Sequence, residues 1–486
     1  MDGESLEKLQ NMFGDRATTD LFERSFYQRD LAPVPDFLVK PLAVTLPDIV
    51  LRPRSTEEVA AVVSLAAAHN IPVTTRAGGS TVYFNTVCTR GGIILDSNGL
   101  DAMVTVDSDN NTVRVGAGIT WWKLAQVLKR SRLALCSYPS SAQSATVGGW
   151  LAMMGYGLGS LAYGPLSEQV IAAQVVLPDG SSRELTKTSQ PPVDWLAASE
   201  GTLGVITEVE LKVRPQPEAE WHGLAAFGNA AAMQKFIEAA AALPEKPFNL
   251  HFSDPGCNAL RHRLGLGSAQ AAAVYTVAFD ADGTHQEAEA ACQAYHRCLK
   301  LTDGEDLAGE GEAEWQQRFF SLVLKREGPS LLGAEIWLPV AGLAGYLESV
   351  TALEKAKFLG LKSYGHIVTP SQAMVMTMFN ADERDTVGYL QGLAFVKKLQ
   401  DMGARFGGRP YGIGLWNTPY LARCYSQAEL RALRERKRLL DPQGIMNPGK
   451  RYEAPLLLKP ALFSVGMDLL AATTLVYRGR VGRKQL

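Results

Sequence analysis

The chain has 486 residues, enough for two or three domains with a sizeable core. Its 48 Lys and Arg balance 50 Asp and Glu, so the charge indicates neither a nucleic-acid partner nor a strongly acidic one. The six cysteines form no CxxC pair, which argues against an iron–sulfur cluster or a structural zinc site.

The sequence also bears on location. The acidic, polar start MDGESLEKLQ predicts no signal peptide, and the scattered cysteines suit a reducing compartment. No run of about 18 uncharged apolar residues is present, so we expect no spanning helix. These features predict a cytoplasmic protein.

The first hundred residues predict an α/β nucleotide-binding opening. Residues 49–53 read as a strand, and Ser55 with Glu58 forms a capping box before an amphipathic helix over 59–69. Residues 71–75 form a second strand that enters a turn with two adjacent glycines. Strand, helix, strand and glycine turn in this order are typical of α/β folds.

The glycine turn comprises Arg76, Ala77, Gly78, Gly79 and Ser80. Two glycines without Cβ atoms allow backbone N–H groups to converge on one point. Such a nest of N–H groups suits a diphosphate. Taken alone, the turn fits an ordinary Gly-Gly turn equally well.

Further strands and glycine turns follow. Short strands are predicted over 93–96, 103–107 and 112–115, and a strand over 170–177 leads into a hairpin turn at PDG. The stretch ASEGTLGVITEVELKVRP then predicts a turn before a long alternating strand that ends near residue 215.

Four blocks in this order resemble the FAD-binding domain of the vanillyl-alcohol oxidase/p-cresol methylhydroxylase (PCMH) superfamily, and most nearly its D-lactate dehydrogenase and glycolate oxidase branch. The blocks are PRSTEEVAAVV with IPVTTRAGGS, SATVGGWLAMMGYGLGSLAYG, VVLPDG with ASEGTLGVITEVELKVRP, and DPQGIMNPGK. The resemblance implies an α+β fold. Its expected parts are a two-subdomain FAD-binding domain (1–217), an antiparallel-sheet cap or substrate domain (218–420), a return to the FAD domain (421–452) and an amphipathic tail (453–486).

The resemblance also implies which residues hold FAD. Most act through backbone groups, because a long anionic cofactor needs close main-chain approach. The implied set is Arg76, Ala77, Gly78, Gly79 and Ser80 at the diphosphate, Pro139, Thr146, Gly148 and Gly149 at the flavin, Tyr156, Gly157, Gly159 and Ser160 along the ribityl chain and diphosphate, Gly201, Val205 and Ile206 at the adenine or ring edge, and Asn447 and Lys450 near the flavin.

Two alternatives for the cofactor are weaker. A Rossmann site would need GxGxxG opening a helix, and the look-alike GLGSAQA at 265–271 is predicted to be a loop. Many relatives attach the flavin through a His near the diphosphate loop, but residues 78–89 contain none. Cys88 is a candidate thioether donor, although a buried structural cysteine is favoured. We therefore expect non-covalent FAD.

The second domain predicts helices over 230–242, 286–300, 340–359 and 386–402, and strands over 272–279, 334–338 and 374–379. The family branch normally binds a divalent metal here through GHxGDGNxH and SGEHGIG motifs. His366 begins the first motif, but IVTPSQAM follows it, and Pro410 and Tyr411 replace the Glu and His of the second. One imidazole without a carboxylate offers too few ligands, so we predict no metal.

Without a metal, another cation would hold an anionic substrate. Arg409 is preferred because a guanidinium binds a carboxylate bidentately, and Arg318 and Lys325 are weaker candidates. By its motif position, His366 would take the hydroxyl proton while hydride goes to flavin N5; a hydrogen-bonded core His is the alternative. Tyr411 either polarises a phenol or packs against the cap.

The resulting prediction is an FAD-dependent oxidoreductase that oxidises a C–OH group of a 2-hydroxy acid or similar small alcohol. Electrons would pass to a protein or quinone acceptor. An aryl-alcohol or phenol oxidase using Tyr411 and an electron-relay or non-catalytic flavin subunit are the alternatives.

The expected partners are a small-molecule substrate, an iron–sulfur or flavoprotein electron acceptor, and further subunits of a homo-oligomer or complex. The tail is apolar over 463–476 and basic at its end. It predicts peripheral contact with an anionic membrane surface, or docking on the chain's own core or on a partner subunit.

Overall fold

A computed structural model describes residues 1–102, 104–357, 359–453 and 455–481, with the backbone alone at 321, 323 and 472–481. The chain divides into two compact units. The first comprises Met1–Gly157, Tyr163–Gln216 and Gly412–Lys459, and the second comprises Leu158–Ala162, Pro217–Tyr411 and the chain from Pro460 onward. The C-terminal segment that returns to the first unit thus begins at Gly412, whereas the sequence predicts residue 421. Residues 158–162 belong to the second unit.

The predicted strands are present, and further strands lie between them. In the described residues they are β1 (Ala17–Thr18), β2 (Ile49–Leu51), β3 (Val73–Arg76), β4 (Ile93–Asp96), β5 (Val104–Asp107), β6 (Thr112–Gly116), β7 (Leu133–Leu135), β8 (Val170–Val176), β9 (Ser182–Thr186), β10 (Val205–Pro215), β11 (Ala219–Phe227), β12 (Asn249–Ser253), β13 (Tyr275–Gly283), β14 (Glu305–Asp306), β15 (Ser330–Pro339), β16 (Lys362–Thr369), β17 (Gln372–Ala381) and β18 (Arg409–Pro410).

The α-helices lie between them. They are α1 (Gly3–Phe13), α2 (Leu21–Phe26), α3 (Asp36–Val39), α4 (Thr56–His69), α5 (Trp121–Arg130), α6 (Val147–Ala152), α7 (Ser160–Tyr163), α8 (Leu166–Gln169), α9 (Ala230–Ala241), α10 (Pro255–Arg263), α11 (His285–Thr302), α12 (Gly311–Gln316), α13 (Leu343–Lys357), α14 (Thr386–Arg405), α15 (Leu421–Cys424), α16 (Gln427–Leu440) and α17 (Pro460–Val481).

The first unit holds two sheets. One has the order β1-β2-β4-β3, in which β2, β4 and β3 run parallel. The other has the order β5-β6-β10-β8-β9 with antiparallel pairing, and β7 also pairs with β10. Val176 and Val205 of the second sheet share a buried core with α4 and with Ile49. The predicted α+β class is confirmed.

The C-terminal return covers the open edge of β3. The backbone N–H of Val73 donates to Ile445 O at 2.8 Å, and the N–H of Asn447 donates to Val73 O at 2.7 Å. Residues about 370 positions apart therefore complete one sheet of the first unit.

The start of α4 differs from the prediction. Ser55 Oγ accepts the N–H of Glu58 as expected for an N-cap. The Glu58 carboxylate, however, accepts from Arg54 N at 2.7 Å and bidentately from Arg16, also at 2.7 Å. The expected capping box is therefore only half formed, because the charge-assisted pair with Arg16 draws the carboxylate away from the N-cap N–H.

Other helix and strand boundaries differ from the predicted ones because of local structure. Ser426 caps α16 with a full capping box, so this helix begins at Gln427. Residues 271–273 form a 3₁₀ turn, which delays β13 to Tyr275. Residues 265–271 lie in the predicted loop. Met103, at the predicted start of β5, lies outside the described residues.

The second unit is built on one antiparallel sheet with the order β14-β11-β13-β12-β16-β17-β15-β18. Helices α9 and α11 pack on one face, where Phe236 and Tyr295 meet Phe279 and Phe227. Helices α10 and α12 contact strands of the same sheet. Directly opposed residues of an antiparallel ladder share a face, so register alone shows which side chains lie together.

The described part of the tail docks on its own unit. Helix α17 packs beside α14, and Lys397 Nζ lies 2.9 Å from Asp468 Oδ1. No helix of the described residues is long and apolar enough to cross a membrane. The basic residues predicted to end the tail lie outside the described side chains.

Candidate functional site

The glycine turn follows β3 and presents its backbone. Gly79 has a φ of +59°, a left-handed conformation that favours glycine. A Cβ on Gly78 would lie 2.1 Å from Ser144 O, so the two main chains approach too closely for a side chain. The N–H groups of Gly78, Gly79 and Ser80 donate no hydrogen bond within the described residues. Three converging donors are thus left for an anion.

Other predicted cofactor residues gather beside this turn in the first unit. Gly148 N donates to Ala117 O at 2.9 Å, and the Cβ position of Gly149 lies 3.9 Å from Ala77 Cβ. Thr146 Oγ1 accepts the Gly149 N–H at 3.2 Å, so the hydroxyl caps α6. Gly157 packs against Tyr138 and Pro139.

Gly201, Asn447 and Lys450 form the other wall. A Cβ on Gly201 would lie 2.4 Å from Thr75 Oγ1 and 3.7 Å from Asn447 Nδ2. Asn447 Nδ2 donates to Glu200 O at 2.6 Å and to Asn85 O at 3.0 Å. Lys450 Nζ donates to Asn447 Oδ1.

Backbone strain concentrates in this wall. Ala198, Glu200 and Asn447 are non-glycine residues with φ near +50°, and Gly201 has a φ of +71°. Glu200 holds the arrangement, because its carboxylate accepts the N–H groups of Ile413 at 3.2 Å and Gly414 at 2.7 Å. Such strain persists only where the surroundings over-determine it, and it concentrates at functional sites.

The electrostatics favour an anionic ligand. Lys450 is 2 % exposed, and burial lowers the pKa of its ammonium to about 8. No carboxylate of the described residues forms an ion pair with it. Burial also lowers the pKa of Arg76, whose guanidinium donates to Arg29 O. The Arg76 guanidinium lies beside Gly79, and this cation together with three unsatisfied backbone donors fits the diphosphate of FAD.

The remaining predicted cofactor residues lie elsewhere. Val205 and Ile206 begin β10 and pair with Val176 and Val175 of β8. Tyr156 precedes Gly157 at the end of the first segment of the first unit, whereas Gly159 and Ser160 belong to the second unit. There Gly159 N donates to Phe248 O at 3.1 Å.

The second unit contains a cavity beside His366, which we call the histidine cavity. Its space totals about 550 Å³ when its open mouth is counted. His366 on β16 lies directly opposite His251 on β12, with ring centroids 4.7 Å apart. The residues that matter below are His366, His251, Asn249, Asp280, Arg261 and Arg318.

Both cavity histidines are neutral at pH 7. Burial and the neighbouring His251 hold the pKa of His366 well below its usual 6.5. Burial, with Arg261 nearby, lowers the pKa of His251 to about 3. His366 Nδ1 lies 3.3 Å from Asn249 Oδ1, which leaves Nε2 to exchange a proton.

The structure does not bring Arg409 to His366. The register pairs His366 with Met374, Met374 with Trp337, and Trp337 with Arg409, so β17 and β15 separate the two side chains. Arg409 is exposed on β18 and does not line the cavity. Tyr411 stacks on Trp337, with centroids 6.5 Å apart and planes 10° apart.

Two other arginines line the cavity instead. Arg261 is bound bidentately by Glu314 at 2.5 and 2.6 Å, so its charge is neutralised. The Arg318 guanidinium lies 4.0 Å from the centroid of Trp315. Lys325 is exposed and is not among the lining residues.

Among the described residues, no group of three or more His, Cys, Asp and Glu side chains could hold a metal ion. The absence of a metal stays a prediction. Sequence reasoning missed Asn249 and His251 on β12 and Asp280 on β13, which lie far from His366 in sequence. Their signal was polar residues alternating with apolar ones, as in NLHFS over β12.

Comparison with known proteins defines the class. Residues 47–186 match the FAD binding domain model, and residues 216–451 match the model of the C-terminal domain of FAD linked oxidases. The fold and the two models together define an FAD-linked oxidase or dehydrogenase.

Proteins of related sequence match this chain over most of its length. The glycolate oxidase subunit GlcD of Bacillus subtilis is 24 % identical over 426 residues, covering 84 % of this chain and 89 % of its own. A D-lactate dehydrogenase of Anaerostipes hadrus is 26 % identical over 434 residues, covering 83 % and 89 %. The crystal structure of p-cresol methylhydroxylase with substrate bound superposes with a TM-score of 0.76 at 15 % identity, covering 93 % and 96 %. The two models together cover most of the chain, which belongs to the FAD-linked oxidases, and the likeness to p-cresol methylhydroxylase shows a shared fold.

Proposed function

We propose that the protein oxidises the alcohol carbon of a small 2-hydroxy acid. The names of the two sequence relatives, a glycolate oxidase subunit and a D-lactate dehydrogenase, support this substrate class. Bound FAD supplies a hydride acceptor. The residues of this chain must then orient the substrate and take the hydroxyl proton.

The observation that carries the proposal is the state of His366. It is neutral, 8 % exposed, held at Nδ1 by Asn249, and lines the histidine cavity. Its Nε2 therefore accepts the hydroxyl proton as the C–H bond gives up hydride. Because the pKa of His366 lies well below 6.5, its imidazole is unprotonated throughout the neutral pH range and can accept a proton.

A 2-hydroxy acid also brings a carboxylate. Arg318 lines the same cavity, and its guanidinium lies 4.0 Å from the centroid of the Trp315 ring, which also belongs to the lining. We assign Arg318 to the substrate carboxylate, in place of the preferred but distant Arg409. A guanidinium suits this role because its donors match the carboxylate geometry.

Anaerobic flavin bleaching tests the proposal. Glycolate, D-lactate and L-lactate are compared with 4-ethylphenol and with ethanol, which lacks the carboxylate. We expect reduction by at least one hydroxy acid and none by ethanol. His366→Gln should slow reduction by roughly 10²–10⁴-fold, the usual contribution of a general base.

Arg318→Met should raise the apparent substrate Kd by roughly 10–100-fold, because one charge-assisted contact is lost. Arg326→Met is the matched control, since Arg326 is exposed on the same stretch and does not line the cavity. Full-rate reduction in His366→Gln, or bleaching by the phenol alone, would overturn the proposal.

The alternatives remain distinguishable. A phenol oxidase would give a phenol-dependent spectral shift lost in Tyr411→Phe. An electron-relay subunit would bleach with none of the substrates and would co-purify with an iron–sulfur or flavoprotein partner. The electron acceptor, the oligomeric state, the cytoplasmic location and the peripheral membrane contact stay predictions of the sequence.

A further inference from the structure

A row of buried polar side chains crosses the sheet of the second unit and ends at His366. His222 on β11 lies directly opposite Asp280 on β13, and Asp280 lies directly opposite Asn249 on β12. His222 Nδ1 is 2.8 Å from Asp280 Oδ1, and Asn249 Nδ2 is 2.8 Å from Asp280 Oδ2. Asn249 Oδ1 then meets His366 Nδ1 at 3.3 Å.

The direction of each hydrogen bond follows from chemistry. An ionised carboxylate only accepts, so the Asn249 amide must turn its NH₂ group toward Asp280. That orientation leaves the amide oxygen facing His366, and an amide oxygen also only accepts. His366 must therefore carry its proton on Nδ1, which leaves the Nε2 lone pair as the basic site.

The far end of the row carries a positive charge. Burial alone would lower the pKa of His222, but its bonds to Asp280 and Glu220, with Glu312 nearby, raise it to about 9. Its Nε2 lies 3.4 Å from Glu220 and 3.6 Å from Glu312, and its ring stacks on Trp315 at 5.0 Å. Burial raises the pKa of Asp280, while His222 and Asn249 oppose that rise. Both Asp280 oxygens lie 2.8 Å from a nitrogen, His222 Nδ1 and Asn249 Nδ2, which is the bonding expected of a carboxylate beside an imidazolium.

We propose that His222, Asp280 and Asn249 are positioning residues that fix His366 in the Nδ1–H tautomer and hold its Nε2 ready as the base. The inference rests on the proposed role of His366. The row also stabilises the protonated form of His366. The imidazolium that forms when Nε2 takes up a proton keeps its Nδ1–H bond to the Asn249 amide, and the Asp280 carboxylate polarises that amide.

The inference is tested by determining the tautomer of His366 by NMR. Full-length holoenzyme is labelled with ¹⁵N-histidine, and solid-state NMR assigns His366 among the seven histidines by its loss in His366→Gln. We expect a protonated Nδ1 and an unprotonated Nε2 at pH 7. In Asn249→Ala this pattern should give way to a tautomer mixture, and the rate of flavin reduction by the best hydroxy acid should fall roughly 10–100-fold.

The matched control is Asn258→Ala. Asn258 is also buried in the second unit, and it donates to Val274 O and Thr276 Oγ1 without lining the cavity. Both variants should lose thermal stability, but only Asn249→Ala should change the His366 spectrum. Asn249→Ala with an unchanged spectrum, or a wild-type His366 protonated on Nε2, would overturn the inference.

A wrong substrate class would give a different experimental result from a wrong positioning row. If no hydroxy acid reduces the flavin but the His366 tautomer still changes in Asn249→Ala, the positioning row stands and the substrate class is wrong.

Discussion

Lys450 directs its buried ammonium at Asn447 Oδ1, and no carboxylate of the described residues forms an ion pair with it. A buried charge without an ion pair is costly to keep, and the nearby Asp30 and Glu200 offset the effect of burial on Lys450 only in part. Burial accordingly lowers the pKa of Lys450 to about 8. The energy of this arrangement is recovered when an anionic group binds beside it.

The variant Lys450→Met should therefore weaken FAD binding without lowering the stability of the FAD-free protein. Loss of one charge-assisted contact, about 1.5–3 kcal/mol, should weaken FAD binding roughly 10–100-fold. The FAD-free protein should melt no lower than wild type, because a desolvated charge has been removed. Fluorescence titration with FAD and melting of the FAD-free form measure the two effects.

The control for this variant is Lys123→Met, which removes an exposed lysine paired with Asp101. It should leave FAD affinity unchanged. An unaltered FAD affinity in Lys450→Met would refute the assignment of this lysine to the cofactor.

The glycine turn makes a second prediction. Gly78→Ala places a methyl group 2.1 Å from Ser144 O, and a main-chain atom cannot rotate away. The turn must then open, so FAD should be lost on gel filtration and the melting temperature should fall. Gly228→Ala is the control, because nothing lies within 4 Å of its Cβ position. A Gly78→Ala protein that elutes yellow with the wild-type spectrum would contradict this account.

The mode of flavin attachment can be tested by acid precipitation. Cys88 is fully buried, and burial raises the pKa of its thiol to about 11. Because the thiolate is the reactive form, a thioether through Cys88 is disfavoured. Precipitation with trichloroacetic acid should release all the flavin to the supernatant. A yellow pellet would show covalent attachment, and retention of that colour in Cys88→Ser would exclude this cysteine as its site.

The His222–Asp280 pair predicts how stability depends on pH. The pKa of His222 is about 9 in the folded protein, against 6.5 for the unfolded chain. The protonated form is thus favoured by folding, so this contribution is complete below pH 6.5 and is lost as the pH rises through 9. Its size is at most about 3 kcal/mol.

Urea unfolding of wild type and His222→Gln from pH 6 to 9.5 measures this term. The stability difference between the two proteins should shrink as the pH rises. A constant difference across the range would mean that His222 is not protonated in the folded state.

The cofactor site was largely predictable from the sequence. The turn at Gly78 and Gly79 is a short-range signal, since adjacent glycines after an apolar strand constrain the backbone locally. Lys450 could be named only through the family resemblance, because its partner Asn447 is held by Asn85 and Glu200, which are hundreds of residues away. The half-formed capping box at Glu58 shows the limit of local rules, since Arg16 competes from another element.

The histidine cavity was predictable only at His366. Asn249, Asp280 and His222 reach it because the strand order runs β11-β13-β12-β16, which does not follow the chain. Strand order and register depend on long-range pairing, and a shift of one residue would turn these side chains to the other face. The same reasoning explains why Arg409 looked close in the motif but lies across intervening strands.

The closure of β3 by residues 445–447 has a consequence for synthesis in the cell. The ribosome makes Val73 long before Ile445, and at about 5–20 residues per second the gap is on the order of 20–70 s. For that time a nascent strand edge has no partner from its own chain, which invites pairing with other chains. We therefore expect soluble yield to rise when holdase chaperones are supplied, and to fall steeply for chains truncated before residue 445.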